Sequence, residues 1–62
     1  MINLVDIMIE LKVGCYVSFD LQNIILYKVL EIDFENKYIK IYDNDVGSTW
    51  EKIEYIERVF YL

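Results

Sequence analysis

The feature that constrains the fold most is an alternation of apolar and polar residues in the middle of the chain. In the stretch 38–42, Ile39 and Ile41 alternate with polar-tipped side chains, a period of two that is typical of a strand with one buried face. The run before it is rich in β-branched and aromatic residues, which favour strands. A short polar break separates the two runs, and Asn36 is its residue best able to adopt a positive φ. We therefore predict a β-hairpin over 24–43.

The outgoing run of this hairpin is apolar on both faces. Between Ile24 and Leu30 the exception is Lys28. Apolar residues on both faces of a short strand indicate either burial on both sides or a sharp bend that carries the strand from one sheet to another. The shortness of the chain favours the bend.

Length and composition limit the class of protein. A chain of 62 residues forms one domain, 1–62, and buries only about 60% of its unfolded surface. With one cysteine and no histidine, it has neither an internal disulfide nor an ordinary zinc site. Yet 56% of the residues are hydrophobic, more than a small monomer readily hides. Part of this surface is expected to face a partner, a second copy or a target.

The charge balance indicates the class of partner. Six basic and eleven acidic residues give a net charge of −5, which disfavours direct binding of nucleic acid because that affinity rests on lysine and arginine. An acidic surface instead attracts a basic protein, including one whose own ligand is nucleic acid. The sequence shows no signal-peptide pattern and no apolar run of membrane-spanning length. Together with the single cysteine, this predicts a cytoplasmic protein that does not bind membranes.

The segment 1–11 is predicted to be a short helix that covers one open end of the fold. Asn3 is a candidate cap at its start, and Gly14 lies just past its end. Its apolar face has helical spacing: Leu4, Ile7, Met8 and Leu11. A terminal strand is the alternative, favoured by other residues of the segment: Ile2, Val5, Ile7 and Ile9.

The remaining elements also read as β-structure. In the stretch 15–20, Cys15, Val17 and Phe19 alternate with Tyr16, Ser18 and Asp20, which predicts a strand with the first three inside and the last three outside. An acidic turn follows the central hairpin, with Gly47 at a positive φ. Then come a strand at 48–51, a single helical or 3-10 turn at 52–58 with Ile53 and Ile56 inward, and a final strand at 59–62. The predicted core is Val17, Phe19, Val29, Ile39, Ile41 and Ile56.

The order of these segments resembles that of a known family. The segments LKVGCYVSF, YKVLEID, YIKIYDNDVGSTW and IEYIERV are similar to the Src-homology-3-like small barrels over 11–62. The resemblance implies an all-β, five-stranded barrel of two orthogonal sheets, with a 3-10 turn before the last strand. Such barrels serve as readers of protein, peptide, RNA or chromatin. Peptide-binding members carry a tryptophan pair and a Pro-x-x-Tyr segment, whereas this chain has no proline and one tryptophan.

Chemistry-bearing patterns are weak. Asp43, Asp45, Gly47 and the acidic residues after them invite comparison with a calcium loop. The glycine falls at the fifth rather than the sixth position, and the flanks read as strands. Cys15 lies on an inward phase with no histidine in the chain to activate it. We therefore expect no metal, no cofactor and no enzymatic activity.

The candidate partner-binding residues combine aromatic and acidic side chains. Outward-facing aromatics with a polar tip are favoured at interfaces, and the acidic residues after the central hairpin are expected to form one negative lobe. The candidate set is Tyr16, Tyr38, Tyr42, Asp43, Asp45, Trp50, Glu51, Glu54 and Glu57. The alternative is that the tyrosines only stabilise the sheet through cross-strand packing and that the carboxylates are a solvated surface.

These observations favour a non-enzymatic binding module that holds a basic protein partner. A specific version is an inhibitor from a phage or mobile element, of the anti-CRISPR kind, that occupies the nucleic-acid site of a host protein. The alternative is a structural protein, a homodimer or larger homo-oligomer that assembles through strand edges or its tyrosine face.

Overall fold

The computed structural model of the chain describes residues 3–62 and consists mainly of β-structure. Five antiparallel strands form one sheet in the order β4-β3-β2-β1-β5. The elements are α1 (Leu4–Glu10), β1 (Tyr16–Ser18), β2 (Tyr27–Asp33), β3 (Tyr38–Asp43), β4 (Gly47–Lys52), a 3-10 turn (Ile53–Tyr55) and β5 (Arg58–Phe60). The prediction of a five-stranded β-fold with a 3-10 turn before the last strand is confirmed at this level.

The sheet is open rather than closed. A closed barrel requires its first and last strands in space to pair, whereas β4 and β5 are the two edges of this sheet. The 3-10 turn carries the chain away from β4, and β5 then pairs with β1, Val17 lying opposite Val59. The expected closure is therefore absent from the pairing of residues 3–62.

The prediction of a helix in the N-terminal segment is confirmed, since α1 spans Leu4–Glu10. The alternative of a terminal strand is therefore wrong for the described residues. Ile2, which was part of that alternative, lies outside the described residues. The Asn3 side chain accepts a hydrogen bond from the backbone N–H of Val5 at 2.8 Å, which caps α1. At the other end, the N–H of Leu11 donates to the carbonyl of Ile7 at 3.0 Å. Helix α1 packs against the 3-10 turn and β5, and Ile7 and Leu11 are buried there.

The core lies between the helix, the 3-10 turn and one face of the sheet. Five of the six predicted core residues are buried: Val17, Val29, Ile39, Ile41 and Ile56. Phe19 is half-buried and packs against them, with its ring centroid 5.7 Å from that of Tyr27. The core also contains Ile7, Leu11, Cys15 and Ile53. The inward positions predicted for Cys15 and Ile53 are thus confirmed.

The predicted hairpin starts too early. Strand β2 begins at Tyr27, and residues 24–26 are exposed and outside the sheet. The pairing of β1 with β2 reaches only to Val17 opposite Tyr27, so the residues before Tyr27 have no strand beside them. The expected bend from one sheet to another is not found, because β2 lies within a single five-stranded sheet. The register of β2 and β3 does shift between Val29 and Glu31, as in a β-bulge.

The turn of the hairpin differs from the prediction at one residue. Lys37, not Asn36, has the positive φ, at 63°. Asn36 is used differently: its backbone N–H and its side-chain amide donate to the Asp33 carboxylate at 3.1 and 2.9 Å. These two bonds hold the turn closed. The positive φ predicted for Gly47 is confirmed, at 85°.

The prediction for Ser18 is also wrong. Its alternation with Val17 predicted an outward side chain. Ser18 is buried, and its hydroxyl donates to the carbonyl of Asp20 at 2.9 Å, which satisfies the buried polar group. Its own carbonyl accepts from the N–H of Glu57 at 2.8 Å. The chain leaving β1 and the segment before β5 thus meet at this residue.

The Asp33 turn predicts a specific pH dependence. Hydrogen bonds from the Asn36 side-chain amide and backbone N–H lower the pKa of Asp33 below its usual value. Because the folded state favours the ionised form, the contribution of Asp33 to stability is present above the usual carboxyl pKa. This contribution is lost as the pH falls through the lowered pKa that Asp33 has in the folded state. Asp33→Ala should therefore be less stable than the parent at neutral pH, with the difference closing in the acid range.

Urea unfolding followed by circular dichroism over the acid range measures this difference. Asn36→Ala removes the side-chain amide donor while keeping the carboxylate. Its stability should likewise be lower than that of the parent at neutral pH, and the two stabilities should converge as the pH falls. A destabilisation that stays constant with pH in both variants would contradict a role for the ionised Asp33.

Candidate functional site

The predicted aromatic residues share one face of the sheet, which we call the outer face. Directly paired residues of antiparallel strands point to the same side. Lys28 on β2 pairs with Tyr16 on β1 and with Tyr42 on β3. On the other side of β3, Tyr38 pairs with Lys52 of β4. Lys40 pairs with Trp50 of the same strand. The core residues Ile39 and Ile41 occupy the opposite phase of β3. The outer face therefore brings together Tyr16, Tyr38, Tyr42 and Trp50.

Sequence reasoning missed other residues of this face. Phe60 pairs with Tyr16 and extends the row of aromatic side chains to β5. Three lysines also belong to the outer face: Lys28, Lys40 and Lys52. The alternation in β3 had already placed Lys40 on the face opposite Ile39 and Ile41, but none of the three lysines was a candidate site residue. Half of the six basic residues of the chain therefore lie on the outer face.

The lysines of the outer face are partly paired. The Lys40 ammonium lies 3.3 Å from the carboxylate of Glu31 on the neighbouring strand, and the Lys52 ammonium lies 3.8 Å from that of Glu54. Both pairs are solvent-exposed, so each contributes little to stability. They do offset the positive charge of the face, which is consequently nearly neutral and aromatic.

The first concave region, the turn groove, lies between the β3–β4 turn and the segment before β2. It has a volume of about 470 Å³. Four of the predicted site residues line it: Tyr16, Tyr42, Asp43 and Asp45. The carboxylate of Asp43 accepts a hydrogen bond from the N–H of Asp45 at 2.8 Å. One of its oxygens is therefore already used within the β3–β4 turn.

The second concave region, the acidic groove, lies between the 3-10 turn and the segment after β1. It has a volume of about 490 Å³ and is lined by Phe19, Glu51, Glu54, Tyr55 and Glu57. Glu51 and Glu57 are half-buried, and Glu54 is exposed. The groove thus contains the other three predicted acidic residues, now combined with two aromatic rings.

Neither aromatic residue of the acidic groove was predicted to belong to the site. Phe19 was assigned to the core, and its half-burial leaves the ring partly accessible. Tyr55 is exposed on the 3-10 turn. Its outward position follows from the inward positions of Ile53 and Ile56. The exposure of Tyr55 could therefore have been predicted from the spacing of those two isoleucines.

The rim of the acidic groove already holds a cation. The Lys52 ammonium, 3.8 Å from the Glu54 carboxylate, also lies 5.8 Å from the centroid of the Tyr55 ring. This is within the distance at which an aromatic face attracts a cation. Glu54 and Tyr55 are therefore placed so that both can contact one ammonium or guanidinium group.

The acidic residues form two groups rather than one lobe. Asp43 pairs with Gly47 at the turn end of β3, whereas Ile39 pairs with Glu51 near the other end. The two pairs are four positions apart along the strand, or about 13 Å at roughly 3.3 Å per residue. This exceeds the screening length of about 8 Å at physiological salt. The turn groove and the acidic groove therefore act as separate electrostatic sites.

Residues 3–62 contain no cluster of three or more histidine, cysteine or acidic residues that could hold a metal ion. No helix within the same range has the length and apolar character needed to cross a membrane. Comparisons of the chain with known protein families, with characterised proteins and with solved structures find no match. The function is therefore inferred from the surface itself.

Proposed function

We propose that the protein is a non-enzymatic binding module that holds a basic segment of a protein partner in the acidic groove. The observation that carries this proposal is the convergence of Glu51, Glu54 and Glu57 with the rings of Phe19 and Tyr55 in one open concavity. Carboxylates and aromatic faces are the two groups that bind lysine and arginine side chains most favourably. The contact of Lys52 with Glu54 and Tyr55 is an example within the chain itself.

The overall charge supports the same proposal. A net charge of −5 attracts a basic surface over long range and raises the rate of encounter. A specific version is an inhibitor from a phage or mobile element, of the anti-CRISPR kind, that covers the basic nucleic-acid site of a host protein in the cytoplasm. Small size and acidity support this version, since such an inhibitor competes with a polyanion for the same surface.

We also propose that the fold is a variant of the Src-homology-3-like small barrel. Three features support it: the strand order β4-β3-β2-β1-β5, the register shift in β2, and the 3-10 turn between β4 and β5. In this variant the sheet stays open, and α1 packs against β5 and the 3-10 turn.

A second candidate function is homo-oligomer assembly through the outer face. Tyr38, Tyr42 and Trp50 are exposed there, on a surface that is nearly neutral. Two copies would meet with least repulsion at such a surface. Sizing chromatography over a range of protein concentrations distinguishes this function from a monomeric binding module.

A pair of charge-matched variants tests the proposed function. Glu54→Gln with Glu57→Gln removes two charges from the acidic groove, while Asp43→Asn with Asp45→Asn removes two from the turn groove. The probe is a synthetic arginine-rich peptide, and its association rate is measured at low and physiological salt. The acidic-groove variant should bind about tenfold more slowly, with a weaker salt dependence. The turn-groove variant should change the rate much less.

Equal effects of the two variants would show that only net charge matters and would contradict a site in the acidic groove. Failure of the peptide to bind the parent protein at low salt would contradict the proposal altogether. Circular dichroism of both variants verifies that the fold is kept, as expected for exposed or half-exposed side chains.

A further inference from the structure

Strand β4 is an edge strand with an open side. It pairs with β3 on one side, and no other strand of residues 3–62 pairs with it. The opposite edge, β5, differs because α1 packs against it. An open edge presents unpaired backbone N–H and C=O groups that can pair with another extended chain.

The side chains of β4 differ between its two faces. Thr49 and Glu51 share the phase of Ile41 and Ile39, to which they are paired, and Glu51 lines the acidic groove. Trp50 points to the outer face and is 48% exposed. An extended chain beside β4 would therefore meet carboxylates on one face and an indole ring on the other.

We propose that the basic segment of the partner binds as an added strand along β4. This inference rests on the proposed function and specifies the form of the ligand. Alternate residues of the added strand would be basic and would reach the carboxylates of Glu51 and Glu54 in the acidic groove. The residues between them would be apolar and pack beside the exposed indole ring of Trp50 on the outer face. The partner is thus a protein with an extended segment in which basic and apolar residues alternate.

A second copy of the chain fits this edge less well. Each copy carries a net charge of −5, and pairing β4 with itself would bring two acidic grooves to one interface. A basic segment offers opposite charge along the same edge, so charge complementarity favours it.

The test compares two synthetic peptides in which arginine alternates with valine. One is unmodified, and the other is N-methylated at alternate residues, which removes main-chain donors while keeping every charge. Binding of the unmodified peptide should slow hydrogen exchange at the edge-facing amides of residues 47–52. N-methylation should weaken binding by about tenfold or more, because a few main-chain hydrogen bonds together supply that much affinity.

Each outcome separates this inference from the function on which it rests. Equal affinity of the two peptides, with loss of binding in Glu54→Gln with Glu57→Gln, would overturn strand addition and leave the acidic groove as the site. Binding of neither peptide would overturn both. Slow exchange at residues 47–52 without peptide, in a protein that is dimeric by sizing, would show that a second copy occupies the edge and would overturn the inference.

Discussion

Replacing Ile39 by Ala is expected to lower the free energy of unfolding by about 2–5 kcal/mol, the usual cost of removing a buried isoleucine side chain. Ile39 is fully buried in β3 and lies between Ile32 on β2 and Glu51 on β4. Its truncation leaves a cavity in the hydrophobic core. A domain of this size has only a few kcal/mol of net stability, so a large part of the variant should be unfolded at physiological temperature. Urea unfolding followed by far-ultraviolet circular dichroism measures the loss.

The matched control is Ile9→Ala, the same chemical change on the solvent side of α1. Ile9 is 74% exposed, and alanine is the better helix former. The expected change in stability is within about 0.5 kcal/mol. Similar losses in the two variants would mean that Ile39 is not at the centre of the core.

Replacing Ile7 by Asp should destabilise the protein at least as much as the Ile39 truncation, because it adds a charge to a buried site. Ile7 is 2% exposed and lies in the helix that packs against the 3-10 turn and β5. The folded state must either bury the carboxylate or release α1 and expose the core. The expected result is loss of the cooperative urea transition or a shift of its midpoint close to zero denaturant.

Val5→Asp is the control in the same helix. Val5 is 60% exposed, and a negative charge in the first turn of a helix is favourable. Its expected effect is within about 0.5 kcal/mol. If Ile7→Asp proves no more harmful than Val5→Asp, helix α1 contributes little to the stability of the core.

Features determined by local pattern could be predicted from the sequence. The alternation around Ile39 and Ile41 located β3, and the helical spacing from Leu4 to Leu11 located α1. In both cases one face is buried and the other is solvated, so the period of apolar residues reports the structure directly.

Features determined by pairing between distant segments could not be predicted in the same way. Residues 24–26 are as apolar as a strand, but β1 pairs with β2 only as far as Tyr27. Ser18 is buried where the segment before β5 meets β1, and the N–H of Glu57 donates to its carbonyl there. Neither the end of this strand pairing nor this hydrogen bond can be predicted from the local pattern of polar and apolar residues.

The candidate site shows the same division. Alternation assigned Tyr16, Tyr38 and Tyr42 to the outside of their strands, and the strand register places them on one face. Proximity along the chain suggested that the five acidic residues within 43–57 form one group. The length of the β3–β4 hairpin instead separates Asp43 and Asp45 from the glutamates of the acidic groove.

The burial of Cys15 makes this chain suited to thiol labelling. Its side chain is 4% exposed, and the N–H of Val29 donates to its carbonyl at 2.8 Å, which holds the residue against β2. A thiol reagent can reach the sulfur only after this part of the core opens. Because the chain has one cysteine, every modification event reports the same opening. When reclosing is fast, the rate of labelling measures the population of the open form, and when the reagent outpaces reclosing it measures the rate of opening.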